Sequence, residues 1–470
     1  MQALANAILL AWIPVVLGLF MYLTPLRAML TAVIGGWLFL PLIAINLPAL
    51  PALDKSSATM GGILLGTVLF HPQVLSHFRL RWFDIPLGLW ILVPAFSALH
   101  YDPDPWEALS AAFSHLVMWG MPYFVGRIYL THLHALRETA IAIVIGALVY
   151  IPFCIWEMRM SPHLHLHVYG FRAPANWEAW WFLTPLQWKP TVFMDTAFSV
   201  SMLMAVAALM ATVLTKWGMA RRTFEVPPGL IAVGLVSMTI LCKVTSGILM
   251  MFLGTSALLA SRAWGTRLAL LAVLLLPPTY MLSRATGLWS GQAAIDAVRM
   301  VDGSRARTLS VRISTEEKLL TRARERPILG WSRMGPWREG ARLTDGYWAI
   351  TMSMYGVVGL TVMTVTLLLP LALFIRLVPP RLWSDSGAGL LMAFALVPAL
   401  HMIDNLANAF PNPLFYLIAG GVLSILAAEQ RRAAAAPAAR QPAIDANSLP
   451  PRARTTASQT PPLRADSIRP

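Results

Sequence analysis

The chain has 470 residues, 57% of them hydrophobic and only 12% charged, about half the charged fraction of an ordinary soluble domain. With a mean hydropathy of +0.63 and long apolar stretches almost end to end, the composition excludes a soluble enzyme. The formal net charge of +14 falls largely on connectors, where basic residues are the ordinary mark of a cytoplasmic loop, so it does not point to nucleic acid.

Thirteen apolar runs lie near residues 7–24, 28–45, 57–70, 82–99, 108–130, 138–157, 191–214, 228–242, 246–261, 267–283, 346–375, 387–403 and 411–428. They predict an all-α, polytopic membrane protein of about 12–13 transmembrane helices over residues 1–428, the lower number applying if the short run 57–70 is re-entrant. The N-terminus has neither the short basic start nor the small-residue cleavage site of a signal peptide, so the first run is expected to stay as a membrane helix. Cys154 and Cys242 both lie in apolar runs, which argues against a disulfide framework and a cysteine metal site.

Orientation follows from the connectors. Arg27, Arg79 with Arg81, Arg137, Lys216 with Arg221 and Arg222, Arg262 with Arg267, and Arg376 with Arg381 fall on alternate turns, which are expected in the cytoplasm. The other turns carry Asp54 with Lys55, then Asp102, Asp104 and Glu107, then Lys243, then Asp404. From about Glu429 the chain turns to Ala, Pro and Arg, with seven arginines against three acids. That predicts a disordered basic cytoplasmic tail over 429–470, either drawn to anionic headgroups or simply solvated.

Two connectors, 158–190 and 284–344, are too long to be turns and by the alternation both emerge outside; loops of this length are usually functional or disordered. The first carries Arg172, and five tryptophans run from Trp156, just ahead of it, to Trp188, as suits a segment at the headgroup boundary. Its His163-Leu164-His165-Leu166-His167 run would set three imidazoles on one side of an extended strand; with no matching ligand motif elsewhere, metal is not expected. The second loop holds Ser314-Thr315-Glu316-Glu317, a capping-box pattern predicting a helix from Ser314 to about Arg326, ending at Pro327.

That second loop has twelve Lys or Arg residues against six acids. A solvated surface accounts for any single arginine, but as a group they suit an anion site, because the guanidinium fork matches phosphate oxygens. Arg305, Arg307, Arg312 and Arg333 are the candidates. Lys189 and Asp195 flank the start of an apolar run in Trp188-Lys189-Pro190-Thr191-Val192-Phe193-Met194-Asp195; an ionisable residue there marks either a function or a dipole-stabilised helix start. Cys242-Lys243-Val244-Thr245-Ser246-Gly247 interrupts an apolar stretch too long for one span and predicts a tight hairpin that points Lys243 outward, toward a ligand or merely snorkelling. Asp345, in Thr344-Asp345-Gly346-Tyr347-Trp348, opens a helix either as its cap or as a general base at the mouth of a basic cavity. Gly356-Val357-Val358-Gly359 follows and would allow close helix packing.

In this order the motifs resemble those of the O-antigen ligase and polysaccharide polymerase superfamily of bacterial envelope proteins, over about residues 60–428. The family's basic residue before small or proline residues at a helix start is similar to Lys189-Pro190-Thr191-Val192-Phe193-Met194. Its polar Ser-Gly hairpin is similar to Lys243-Val244-Thr245-Ser246-Gly247. A large outer loop ending in "Pro, two residues, Gly" is matched by Pro327-Ile328-Leu329-Gly330-Trp331-Ser332. A helix that opens on His-Asn and reaches Gly-x-x-Gly eleven residues later is matched from Asp345 to Gly356. Asp345-Gly346 replaces the usual His-Asn and Lys189 stands where arginine is common, a version that looks like a branch found with exopolysaccharide gene sets.

The resemblance implies a GT-C-like glycosyltransferase body in the bacterial inner membrane. It implies a polyprenyl-diphosphate-linked glycan as donor, a glycan or lipid-linked acceptor, membrane lipids and polysaccharide assembly or export proteins as partners, and no cofactor or metal. Asp345 is then the catalytic base, with Arg172, Lys189, Lys243, Arg305, Arg307, Arg312 and Arg333 as substrate-binding candidates converging on one outer cavity. The competing readings are a transporter or flippase of a lipid-linked saccharide, which usually shows internal repeats and midplane charges, and a membrane scaffold.

Overall fold

The computed structural model describes residues 2–46, 52–172, 188–219, 226–339 and 346–435. The chain opens with α1 (Gln2–Tyr22), α2 (Pro25–Phe39) and α3 (Lys55–Phe70), then α4 (Ile85–Tyr101). α5 (Pro105–His115), a π-helical turn at Leu116–Gly120 and α6 (Met121–Tyr129) run on as one rod. α7 (Leu133–Met160), the short α8 (Leu164–Tyr169), α9 (Ala197–Lys216), α10 (Pro228–Leu241), α11 (Thr245–Trp264) and α12 (Leu268–Ala285) follow. α13 (Gln292–Val301) is amphipathic and α14 (Gly303–Glu325) polar, and α15 (Tyr347–Leu377), α16 (Ser386–Asp404) and α17 (Leu414–Ala435) complete the helices.

Among the described residues no strand forms beyond an isolated bridge between Ile45 and Leu53, and nine spans are long and apolar enough to cross a membrane. These are α1, α4 with its preceding turn, the α5–α6 rod, α7, α9, α11, α12, α15 and α16; α2, α10 and residues 414–430 are shorter apolar helices. Exposure supports lipid as the solvent. On α4, Ile85, Leu89, Leu92, Phe96 and Leu99 are all exposed, and their spacing of three or four makes one continuous apolar stripe that water would not tolerate. α9, α15 and α16 are mostly buried and form the centre of the bundle, with α1 and α12 at its rim. Residues 1–428 make one compact unit; of the expected disordered tail 429–470, residues 429–435 instead continue α17, their alanines favouring helix, and the rest lies outside the described residues.

Contacts sort the connectors onto two faces, as the alternation of charges requires. On one, Arg137 donates to the Met219 carbonyl and Arg262 stacks on Trp217. There too, Arg127 at the end of α6 grips Asp84 ahead of α4 in a bidentate pair of 2.9 and 3.2 Å, with Tyr123 Oη adding a third bond to the carboxylate at 2.7 Å. Both charges are buried. Arg127→Met would strand the Asp84 carboxylate and is expected to cost about 3–5 kcal/mol, read as a lower unfolding temperature in detergent; adding Asp84→Asn should recover most of that loss.

The other face carries the two long connectors, and here two expectations are corrected. The helix in the second connector begins eleven residues before Ser314: α14 starts at Gly303, capped by Asp302, whose Oδ1 accepts from Ser304 N and Arg305 N. Ser314 lies mid-helix and donates to the Val311 carbonyl, because Ser-x-x-Glu is equally compatible with a helix interior and nothing upstream breaks the helix. The histidine run is the helix α8, not a strand. His163 and His167 therefore share a side, while His165 turns inward, its Nε2 accepting from Leu42 N and its Nδ1 bonded to the Phe171 carbonyl.

Candidate functional site

The first connector is anchored by Glu157, the buried acid in the last turn of α7. Its Oε2 accepts from Thr191 N at 2.8 Å and Val192 N at 2.7 Å, and its Oε1 from Leu164 N at 3.1 Å. Val192, at φ 53°, sits in the left-handed region to make this possible. The next amide, Phe193 N, donates to Tyr150 Oη at 2.9 Å. Thr196 then caps α9, and Asp195 Oδ1 accepts from Ser199 Oγ at 2.6 Å. Lys189 and Asp195 are thus held at the connector face by a carboxylate that no local pattern announces. Burial and the neighbouring charge of Arg312 hold the Lys189 ammonium below its usual range. An anion between the two cations would relieve that repulsion.

Arg312 on α14 reaches across the bundle end. Its Nη1 donates to the Ala407 carbonyl at 3.1 Å and to Asn408 Oδ1 at 3.3 Å, and Asn408 Nδ2 donates to Asp404 Oδ1 at 2.8 Å. Ser246, at the start of α11, lies against the Asp404 carboxylate. The expected hairpin is present: α10 and α11 are joined by the turn Cys242–Val244, with Lys243 exposed at φ 58°. The start of α15 docks on the same loop, Tyr347 N donating to the Asn408 carbonyl at 3.0 Å and Trp348 N to that of Asn405 at 3.4 Å. Gly346 occupies the cap position of α15; Asp345, the expected base, lies outside the described residues.

The remaining candidates do not all join this cluster. Arg333 is paired with Glu107 of α5, Nη2 to Oε2 at 3.0 Å, and also donates to Ser110 Oγ at 3.1 Å, which ties the second connector to the membrane body. Arg305 is exposed and pairs with its own cap residue Asp302, and Arg307 is exposed. Arg172 is exposed near His163. Structural roles occupy other basic residues of the loop: Arg284 is buried against Glu316, which also accepts from Tyr280 Oη and Trp348 Nε1, and Arg322 and Arg326 stack on Trp331. Lys189 and Arg312, with Ser246, Asp404 and Asn408, are what the fold gathers.

Two of the sequence motifs turn out to be one structural unit. At Gly356 the backbone of α15 leaves the helix (φ 66°, ψ −167°), and Pro327–Ser332 fills the gap. Val357 N donates to the Pro327 carbonyl at 2.7 Å, Trp331 N to Ser353 and Ser332 N to Met354. Ser97 of α4 donates to the Leu329 and Met354 carbonyls. The helix amides and carbonyls freed at the break are therefore paired with the loop, which a broken helix in lipid requires. Gly356 is a break rather than the helix-packing surface its spacing predicts.

A cavity of about 550 Å³ opens between the C-terminal end of α2, the start of α3 and the middle of the α5–α6 rod at Ser114, Val117 and Met118, lined also by Asp195 on the Glu157-anchored segment and by Pro411 and Pro413 ahead of α17. Among the described residues no group of three or more His, Cys, Asp or Glu is placed to hold a metal ion. Glu157 carries no sequence signal because its partners are backbone amides, two of the three more than thirty residues away. Asp404 and Asn408 carried a signal: Asn405, Asn408 and Asn412 crowd behind an aspartate between two apolar runs. Compared with protein-family models and with curated proteins, the chain matches none.

Proposed function

We propose that this chain is an inverting, GT-C-like membrane glycosyltransferase that polymerises or ligates polyprenyl-diphosphate-linked oligosaccharide in bacterial exopolysaccharide or O-antigen-type biosynthesis. The observation that carries the reading is the half-buried pair Lys189 and Arg312, two cations set together at one end of an apolar bundle. A diphosphate on a lipid tail is the anion such a place suits: charge at the interface, hydrocarbon along the helices. In this proposal the connector face is periplasmic and the tail cytoplasmic, in the bacterial inner membrane.

In the reaction, an acceptor hydroxyl attacks the anomeric carbon from the side opposite the diphosphate. The new glycosidic C–O bond forms as the bond from the anomeric carbon to the diphosphate oxygen breaks, its electron pair stays on that oxygen, the hydroxyl proton passes to the Asp345 carboxylate, and the polyprenyl diphosphate leaves. Lys189 and Arg312 stabilise the charge that gathers on the leaving oxygens. Asn408 and Asp404 orient Arg312, and Arg333 contributes once exchanged from Glu107 to the donor. The polar groups cluster at one end of the bundle rather than at its middle, which favours this reading over a transporter.

The test is polymer formation by purified protein in lipid, supplied with polyprenyl-diphosphate-linked oligosaccharide. Wild type is expected to lengthen the glycan, Asp345→Asn to be slower by about 10²–10⁴-fold, and Arg312→Ala by about 10²–10³-fold. Unchanged output from folded Asp345→Asn would remove the base; unchanged donor with wild type, accompanied by flipping of the labelled lipid, would replace the enzyme with a transporter.

A further inference from the structure

The cavity that Asp195 lines contains a lysine that the proposed reaction leaves unused. Lys55, the first residue of α3, is 8% exposed, and its Nζ sits 4.5 Å from the centroid of the Trp37 ring. Neither Lys55 Nζ nor the neighbouring Ser56 Oγ has a hydrogen-bond partner among the described residues. The Trp37 ring face offsets part of the cost of burying this ammonium, and its N–H donors stay open to a ligand that can accept from them. Asp54 and Asp195 share the cavity wall with Lys55 and Ser56. Burial pushes the Lys55 ammonium down to about 8, against the attraction of Asp195 and Asp54.

The chemistry of the wall selects the occupant. A diphosphate would meet two carboxylates against one cation. A polyprenyl tail would leave the Lys55 Nζ and Ser56 Oγ without hydrogen-bond partners. Sugar hydroxyls both donate and accept, so they can satisfy carboxylates, an ammonium and serines together, while apolar residues of the same wall, Pro411 and Pro413 among them, suit the C–H side of a pyranose ring. The volume of about 550 Å³ is that of an ordinary small-ligand pocket. Asp195 stands six residues from Lys189 on the same anchored segment, so a saccharide held here lies beside the proposed diphosphate site.

We propose that this cavity is the acceptor-saccharide subsite, with the Lys55 Nζ and Ser56 Oγ donating to, and Asp195 and Asp54 accepting from, the hydroxyls of an uncharged sugar. The assignment of this sugar as acceptor rests on the glycosyltransferase reading; the binding chemistry does not.

The experiment uses full-length protein in nanodiscs and, as probe, the oligosaccharide released by mild acid from the same lipid-linked donor used in the transfer assay. Isothermal titration is expected to show binding that Lys55→Met weakens by about tenfold or more, the loss of one charged hydrogen bond. Arg312→Ala should bind the probe as wild type does, because the released sugar carries no diphosphate. Lys55→Met removes a buried charge and keeps the side-chain length, and Asp195→Asn gives a second variant from another element, so a folding defect in one does not decide the result. Transfer by wild type with no probe binding, or with binding that neither variant weakens, overturns the subsite and leaves the reaction standing. Binding weakened by both variants without transfer supports the saccharide site and overturns the reaction.

Discussion

Glu157→Ala is expected to be among the most damaging single substitutions in this chain, lowering stability by about 3–6 kcal/mol. Two buried backbone amides, those of Thr191 and Val192, and the half-buried amide of Leu164 end on this one carboxylate, and each buried donor left unmade costs about 1–3 kcal/mol. Glu157→Gln keeps one carbonyl oxygen but turns an NH₂ toward amides that need an acceptor, so it should fall between alanine and wild type. The measurement is the apparent unfolding temperature in detergent at a fixed scan rate, since unfolding of such a protein is irreversible and reports a rate. The order alanine, glutamine, wild type is the expected result. Because the Glu157-bound segment carries Lys189 and Asp195, any transfer activity should fall in the same order. An alanine variant as stable as wild type would mean the carboxylate is not the anchor.

Gly356→Ala is expected to be comparably severe for a different reason. At φ 66° and ψ −167° the backbone is in a region open essentially to glycine alone, which costs any other residue about 1–3 kcal/mol. A Cβ there would also fall well inside contact distance of the Ile328 carbonyl, which is backbone and cannot swing aside. The variant must either expel Pro327–Gly330 from the gap or straighten α15, and both outcomes unpair the bonds from Val357 N and Ser332 N. A total loss of about 3–5 kcal/mol follows. Gly88→Ala on α4 is the control, because a Cβ there meets nothing within 4 Å. Amide exchange at Trp331 and Ser332 should rise in Gly356→Ala and stay unchanged in Gly88→Ala; equal protection in both would refute the docking argument.

The helices were legible because hydropathy is a local property: each of the thirteen apolar runs overlaps a helix, although among the described residues nine rather than twelve or thirteen are long and apolar enough to cross a membrane, and the hairpin at Lys243 needed only the length of its stretch. The π-helical turn at Leu116–Gly120 and the break at Gly356 were hidden, since a lapse of helix geometry within an apolar run leaves no mark on hydropathy. Asp302 was overlooked as a cap because Ser314 offered the fuller pattern. The pairs that brace the structure were illegible for one shared reason. Asp84 with Arg127, Glu107 with Arg333 and Arg284 with Glu316 lie far apart in sequence, and each member alone reads as a connector charge. Of the site, the sequence pointed to Lys189 and Arg312 through residue type and position. That Arg333 faces Glu107 while Arg305 stays on the surface is decided by packing.

The break in α15 also bears on how the protein is made. After Gly356, residues 357–377 at about 1.5 Å per residue extend about 31 Å, the thickness of a hydrocarbon core, whereas all of Tyr347–Leu377 as one straight rod would overshoot it. Pro327–Ser332 leaves the ribosome before α15 and supplies the partners that let the rod divide. The loop therefore pairs the backbone groups that the break exposes, so this long apolar segment need not cross a bilayer as one straight rod.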